Sequence, residues 1–318
     1  MILLKPVIAL LIKTYPNLNV WLVTNKNNQS IFNFHERIKF IGIDFNSPQK
    51  NIFQISKTIK EVSNNLHFDG VYDLHDVIRS KILRFILYPK TKIHRVFLKE
   101  RSLKNKIINN KIELKKLKHS SERYLDCIKQ DFEKIKFSNI DKTLESKSIK
   151  DKIIGLAPFS AHPTKMWEVK NYVNIFKHFK DYQFILFAFG EKEINVAKKI
   201  ISDFKNCTVI SNDLNLYHQM ELINTCKLFI TMDSANMHLA SLTSTKVISI
   251  WGPTHPHLGF GPLFNEKYIV QLTENQLPGR PFSIYGKIKK SKIKSASESM
   301  SKIKPEMVIE KMEFALKN

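Results

Sequence analysis

The sequence D-S-A-N-M-H-L-A at residues 233–240 brings together residue types that bind phosphate. It follows an apolar run that predicts a buried strand. Asp233 or Ser234 can cap the helix that follows, and the small Ala235 lets a ligand approach the first turn of that helix. The unpaired backbone N–H groups of such a turn attract phosphate, and His238, about one turn further on, can add a donor. An ordinary capped helix with a hydrogen-bonded histidine is the alternative interpretation.

A second polar segment, the loop at residues 159–167, also follows a predicted strand. Ser160 and Lys165 in this loop are able to contact phosphate oxygens, with Lys165 as a point charge for a departing diphosphate. The alternative is a solvated surface loop, because one lysine carries little information in a chain with 51 Lys and Arg residues.

Carboxylates follow Gly190 at the end of the next predicted strand. Glu193, or Glu191 as second choice, is placed to accept hydrogen bonds from both hydroxyls of a ribose, as acidic side chains do in dinucleotide-binding folds. The alternative is a helix that begins with glutamates because its dipole favours them there.

The turn W-G-P-T-H-P at residues 251–256 follows a further predicted strand. Its glycine and two prolines fix the turn, and Thr254 and His255 supply polar groups; a tight surface turn is the alternative.

Each of the four segments is modest evidence alone. All four follow strands of one predicted parallel sheet, and such sheets bind ligands at the carboxyl ends of their strands. The sequence therefore predicts one polar crevice in the second half of the chain.

The elements that position this crevice alternate regularly. Between residues 153 and 251 the sequence predicts five strands separated by helices, which indicates a doubly wound α/β domain with a parallel sheet. The first half shows the same rhythm less clearly, with a helix at 6–15, strands at 20–24, 38–43 and 70–74, and a helix at 52–66. Residues 99–118 suit a solvated surface helix, and the polar segment 133–150 suits an interdomain linker.

Composition limits the class of protein. The 318 residues are enough for two domains, and three scattered cysteines predict neither a disulfide framework nor a clustered metal site, so a reducing cytoplasm is expected. No apolar run is long enough to span a membrane. The net charge of +22 comes without a nucleic-acid-binding motif. We therefore expect no nucleic acid partner, and favour a basic face that approaches anionic lipid or a phosphorylated glycolipid.

Together these motifs resemble glycosyltransferase family 9, the lipopolysaccharide heptosyltransferase-like enzymes. Residues 233–240, a strand and the turn at 251–256 resemble the family's helix-and-loop signature. In the first half, D-L-H at 73–75 with R-S at 79–80 resembles the family's D-L-x…R-S element, and E-R-Y at 122–124 its E-R-Y helix. The resemblance covers nearly the whole chain.

The resemblance implies the GT-B architecture, with two Rossmann-like doubly wound domains. Residues 1–145 would form the acceptor-side domain, 146–300 the donor domain, and 301–318 a helix that packs back on the first domain. It implies transfer of a sugar, with inversion and without a metal, from a nucleotide diphosphate to a lipopolysaccharide core or related surface glycan. ADP-heptose is the expected co-substrate, and no other cofactor is implied. The implied residues are Ser160, Lys165, Glu193, Asp233, Ser234, Ala235, His238, Thr254 and His255 for the donor, and His75 and Arg79 for the acceptor.

One departure from the family concerns the start of the sequence. In the family a strand and a Gly-Asp loop precede the helix that resembles residues 2–15, and the aspartate of that loop is the implied base. This sequence starts where the loop would already have ended, so we expect the first strand and the base to be missing from it, and the catalytic residue stays unassigned. Either translation was assigned to an internal methionine, or the chain is a catalytically impaired relative that binds nucleotide-sugar.

A third interpretation is another GT-B-like enzyme, such as a nucleotide-sugar epimerase, which would share the donor crevice but need acid and base groups at the sugar ring. The favoured interpretation remains the glycosyltransferase. We expect it to be cytoplasmic, with peripheral contact to the anionic inner membrane.

Overall fold

A computed structural model describes residues 1–43, 52–144, 150–210 and 214–318. The chain divides into two compact units, the first formed by residues 1–100 and 120–141, the second by residues 101–119 and 142–318. The predicted domain boundary at 145–146 lies outside the described residues. No helix among the described residues has the length and apolar character needed to cross a membrane.

The first part of the chain alternates helices and strands, as the sequence predicted. Among the described residues, β1 pairs with β2 and β3 pairs with β4, each in parallel, as two separate sheets. Ten elements follow one another here: α1 (Lys5–Thr14), β1 (Val20–Asn25), α2 (Gln29–Phe32), β2 (Ile38–Ile43), α3 (Ile52–Asn65), β3 (Gly70–Asp73), α4 (Ile78–Leu87), β4 (Ile93–Val96), α5 (Arg101–Ile108) and α6 (Ser120–Ile128). All except α5 belong to the first unit.

The second unit is built on one parallel sheet with the strand order β10-β9-β8-β5-β6-β7 among the described residues. Its further elements are β5 (Lys150–Ala157), α7 (Lys170–His178), β6 (Gln183–Phe187), α8 (Glu191–Ile200), β7 (Cys207–Ile210), α9 (Leu216–Asn224), β8 (Cys226–Met232), α10 (Ala235–Ser241), β9 (Lys246–Trp251), β10 (Ile269–Gln271), α11 (Ile293–Ser301) and α12 (Pro305–Lys317). The five predicted strands and their parallel alternation are confirmed, and β10 adds a sixth. The central strands are almost fully buried, as expected for a parallel sheet covered by helices.

Close packing at the centre of this sheet depends on Gly155 in β5. A Cβ at this position would lie 2.5 Å from Cδ2 of Phe229 and 3.2 Å from Sγ of Cys226, both in β8. We expect Gly155→Ala to lower the free energy of unfolding by about 1 to 3 kcal/mol, because an extra methyl group in a packed core forces its neighbours to shift. Chemical denaturation measures the change. Gly261→Ala is the matched control, since a Cβ there would approach no described atom closer than 3.4 Å; equal losses in both variants would contradict the packing argument.

The segment at residues 99–118 differs from its prediction as one solvated helix in the first domain. The helix α5 ends at Ile108, and the segment belongs to the second unit. Ile107 and Leu117 are buried against Leu258, and the backbone N–H of Leu117 donates to the His257 carbonyl at 2.8 Å. The apolar residues of this lysine-rich segment therefore pack against the second unit, although part of the segment is not helical. Their helical spacing in the sequence did not indicate this packing.

The terminal helix α12 also lies in the second unit, whereas the sequence predicted that it packs back on the first domain. Val308, Met312 and Ala315 are fully buried in the core cluster of the second unit. Nζ of Lys246, in β9, donates to the Ala315 carbonyl at 2.9 Å. The helix presents its apolar face to its own sheet and thereby closes that core.

Candidate functional site

Three loops at the carboxyl edge of the large sheet meet at Asp233. The carboxylate follows β8, and its Oδ2 lies 3.3 Å from Nζ of Lys165, in the loop after β5. Lys165 Nζ also donates to the Asp233 carbonyl at 2.5 Å. The Thr254 hydroxyl, from the turn after β9, donates to Asp233 Oδ2 at 2.8 Å. All three residues are buried, so this edge holds a desolvated ion pair.

The position of Lys165 follows from its local sequence. His162 precedes a single 3-10 turn, Pro163–Lys165, and its carbonyl accepts the backbone N–H of Lys165 at 2.9 Å. Two residues later, the buried Trp167 fixes the end of the loop, because its indole Nε1 donates to the Ile303 carbonyl at 2.8 Å. The turn and the aromatic anchor direct the lysine toward β8 instead of solvent.

Arg280 supports the turn after β9 from the side of β10. Its Nε donates to the Thr254 carbonyl at 2.8 Å, and its Nη2 donates to Oε1 of Gln271 at 3.1 Å. Burial lowers the pKa of Arg280 to about 10, while the nearby carboxylates of Glu274 and Asp233 raise it. The guanidinium therefore remains charged at neutral pH, and adds a second buried cation beside Asp233.

His238, on α10, contributes an unused donor or acceptor. Its Nδ1 is buried and has no hydrogen-bond partner among the described residues. Burial is the main cause that lowers the pKa of His238 to about 3, and the nearby groups His119 and Lys165 contribute to the same shift. A neutral ring with an unsatisfied buried nitrogen is unusual in a folded protein and often marks a ligand or an ordered water.

His255 is held in the turn by its own backbone neighbour. Its Nδ1 accepts the backbone N–H of His257 at 3.1 Å. Burial lowers the pKa of His255 to about 3, and Arg280 and His257 add to the effect. Because His238 and His255 are neutral, the charged buried groups described at this edge of the sheet are Lys165, Arg280 and Asp233. The resulting positive potential at this edge favours an anion.

These histidines make stability depend on pH. A histidine whose pKa is lower in the folded state loses protein stability when it is protonated, so the free energy of unfolding should fall as the pH drops below about 6.5. The free energy of unfolding of the wild type should decrease between pH 7 and pH 5. In His238→Asn this decrease should be smaller by about 1 to 2 kcal/mol. Urea denaturation at the two pH values measures it, with the exposed His67→Asn as control. A wild-type protein whose stability is constant over this range would contradict the prediction.

The other residues proposed for the donor lie near this edge but have different partners. Ser160 is partly buried, and its Oγ accepts the backbone N–H of His162 at 3.5 Å. Ser234 begins α10, but its side chain makes no capping bond to the described residues; its Oγ lies 3.1 Å from Oγ1 of Thr231. Ala235 is exposed, which leaves the first turn of α10 open to solvent.

Glu193 lies in the first turn of α8, after the neighbouring strand β6. Its Oε2 accepts the backbone N–H of Phe189 at 3.0 Å, so one carboxylate oxygen caps the start of its own helix. Gly190 reaches the turn with φ of 78°, a left-handed conformation that glycine adopts without strain. The ribose role stays a prediction, with the second carboxylate oxygen as the available acceptor.

The residues proposed for the acceptor lie in the first unit, after β3. Oδ1 of Asp73 accepts the backbone N–H groups of His75 at 3.0 Å and Asp76 at 2.8 Å, which fixes the turn into α4. Burial lowers the pKa of His75, and the positive charges of Lys99 and Arg79 lower it further. His75 therefore lies in the turn before α4, and Arg79 lies in the first turn of that helix.

Sequence reasoning gave no role to Arg280, His119 or His257. Arg280 follows β10, a strand of three residues that is too short to produce a clear sequence pattern. His119 lies in a segment that was assigned to the wrong domain, and its Nε2 lies 3.1 Å from the Gly261 carbonyl. For His257, the sequence signal was the repeated histidine of H-P-H at residues 255–257.

The second unit is a parallel α/β unit with buried cations at its strand ends, and the first unit is a second α/β unit; GT-B glycosyltransferases share this architecture. The model for glycosyltransferase family 9 (heptosyltransferase) matches residues 55–283, which is more than half of the chain. The chain therefore belongs to glycosyltransferase family 9.

Relatives and solved structures agree with this assignment. Lipooligosaccharide heptosyltransferase 2 of Campylobacter jejuni is 27% identical over 173 residues, which are 52% of this chain and 52% of the relative. Lipopolysaccharide heptosyltransferase 2 of Escherichia coli is 24% identical over 173 residues, 52% of this chain and 47% of the relative. The chain thus spans about half the length of the curated relatives it matches.

The fold is shared over nearly the full chain. A glycosyl transferase family 9 structure from Veillonella parvula matches with a TM-score of 0.72 at 18% identity, and covers 99% of this chain and 93% of that one. E. coli heptosyltransferase WaaC with ADP matches with a TM-score of 0.71 at 14% identity, over 99% of this chain and 95% of that one. The two-domain α/β fold class predicted from the sequence is confirmed.

Proposed function

We propose that the chain transfers a sugar from a nucleoside diphosphate donor, with ADP-heptose the expected one, to a lipopolysaccharide-core or related glycolipid acceptor. The observation that carries the proposal is the meeting of Lys165, Asp233 and Thr254 from three strand-end loops, beside the unsatisfied Nδ1 of His238. The family match and the names of the relatives support the choice of heptose.

The donor diphosphate would bind between Lys165 and α10. When the bond between the anomeric carbon and the diphosphate oxygen breaks, its electron pair stays on that oxygen. Lys165 and a ring N–H of His238 would stabilise the resulting negative charge. This is the electrostatic contribution that such sites make to catalysis. Asp233 holds Lys165 in place, and the Thr254 hydroxyl in turn holds Asp233. Glu193 would accept hydrogen bonds from the ribose hydroxyls. In this mechanism the charge is stabilised by Lys165 and by N–H donors, so the proposed transfer needs no metal.

The acceptor would bind at His75 and Arg79 of the first unit. Its hydroxyl oxygen would attack the anomeric carbon from the face opposite the departing diphosphate, so that the configuration inverts, and its proton would pass to a base. No described residue is assigned as this base. Burial lowers the pKa of His75, which makes it a weak base, and we limit its role to acceptor binding.

A transfer assay tests the function. The chain is incubated with ADP-heptose and a purified glycolipid acceptor, and the product is analysed by mass spectrometry and by NMR of the new anomeric centre, with chelator present. We expect one heptose to be added with inverted configuration. Donor that is turned over without a glycolipid product, or transfer that stops with the chelator, would contradict the proposal. Parallel titration with ADP alone shows whether the donor site is formed.

A further inference from the structure

The helix α4 of the first unit carries apolar side chains on two opposite sides. On the inner side, Leu83 and Leu87 pack against the buried cluster that includes Ile43 and Ile59. On the outer side, Ile78 is 78% exposed and Phe85 is 80% exposed. The inner contacts hold the helix in the fold, so the outer apolar residues are not needed for that packing.

The outer residues form one continuous stripe. Ile78, Ile82 and Phe85 are spaced i, i+4 and i+7, and therefore project from the same side of the helix. Ile82 is 37% exposed, and Tyr88, just after the helix, is 64% exposed. Isolated exposed apolar residues need no explanation, but a contiguous set of large ones marks an interaction surface.

The segment that carries the stripe is rich in positive charge, and three of its cations pair with carboxylates from outside the segment: Lys81 with Asp76, Arg84 with Asp73 and Arg95 with Asp131. Residues 77–99 contain no Asp or Glu, and their Lys and Arg residues are Arg79, Lys81, Arg84, Lys90, Lys92, Arg95 and Lys99. Lys81 is exposed on α4 itself, and Lys92 is exposed in the segment between α4 and β4. Apolar and aromatic side chains flanked by lysines are the composition of helices that lie in the interface of an anionic membrane. A second copy of this chain fits poorly, because two such faces would bring like charges together.

We propose that α4 docks the protein on an anionic lipid surface, with Ile78, Ile82 and Phe85 inserted among the lipids and Lys81 and Lys92 at the headgroups. The inference rests on the proposed function in one respect, because a glycolipid acceptor lies in that surface. His75 and Arg79 stand at the start of the same helix, so docking would bring a membrane-bound saccharide to them.

Vesicle flotation tests the docking surface. The full chain is mixed with vesicles of phosphatidylcholine, with or without phosphatidylglycerol, and the bound fraction is measured at low and high salt. We expect binding to the anionic vesicles that weakens with salt. The pair Ile78→Ser/Phe85→Ser should lower the partition coefficient about tenfold or more, and Lys81→Gln/Lys92→Gln should lower it and flatten its salt dependence.

The matched control is Val196→Ser/Ile293→Ser, which removes two aliphatic residues that are exposed elsewhere; it should bind vesicles as the wild type does. Because the substituted residues are exposed, thermal unfolding and ADP affinity should not change in the α4 variants. An Ile78→Ser/Phe85→Ser variant that binds anionic vesicles normally would overturn the proposal. So would a wild type that is dimeric while this variant is monomeric, since a second copy would then cover the face. Failure of ADP binding in the wild type would instead concern the proposed function.

Discussion

Lys165→Ala should weaken binding of ADP and ADP-heptose by about 5- to 150-fold, which corresponds to about 1 to 3 kcal/mol. The reason is that Lys165 is a buried cation whose position is fixed by its 3-10 turn and by Asp233, so it meets the diphosphate without further ordering. A charge-assisted bond in such a desolvated place is stronger than one at the surface. Isothermal titration calorimetry measures the change.

The control for this prediction is Lys170→Ala. Lys170 begins α7, a few residues beyond Lys165, and its exposed Nζ pairs with Glu168 at 2.7 Å. Exposed pairs contribute little, so the control should bind ADP as the wild type does. If both variants lost affinity equally, general positive charge and not the position of Lys165 would explain ADP binding.

Asp233→Ala should lower the free energy of unfolding by about 2 to 4 kcal/mol. The substitution removes the acceptor of the Thr254 hydroxyl. Among the described residues, it leaves the buried Lys165 with the backbone carbonyl of residue 233 as its acceptor. A buried charge that loses its partner costs more than the pair itself contributes. Urea denaturation in the absence of nucleotide measures the loss.

The double variant Lys165→Met/Asp233→Ala separates this cause from simple loss of contacts. Because it removes both charges and keeps an apolar side chain of similar length, it should recover part of the stability lost in Asp233→Ala. It should not recover ADP binding, because the cation is gone. If the loss of unfolding free energy in the double variant equalled the sum of the losses at the two sites, the ion pair would not couple Lys165 and Asp233.

Much of the second unit could be predicted from the sequence because parallel strands leave a strong signal. The apolar runs that became β8 and β9 are buried on both faces, and each ends at a polar turn. Since all strands of a parallel sheet point the same way, Asp233 and Thr254 had to emerge at one edge. That reasoning also placed Lys165 at this edge, and the structure brings it to Asp233.

The partners of these residues could not be predicted, because they depend on side-chain geometry. Thr254 was expected to face a ligand, but its hydroxyl is used to hold Asp233. Arg280 reaches the site through an irregular segment after a very short strand, and the segment at residues 101–119 crosses into the second unit against its predicted place. Short strands and irregular segments lack the periodicity from which such contacts can be predicted.

A crystal structure of the protein with bound ADP tests the proposed donor site. We expect the diphosphate at the carboxyl edge of β5 and β8, with phosphate oxygens within hydrogen-bond distance, about 3 Å, of Lys165 Nζ and a ring nitrogen of His238. ADP bound elsewhere, with Lys165 still paired to Asp233 and both remote from phosphate, would contradict it.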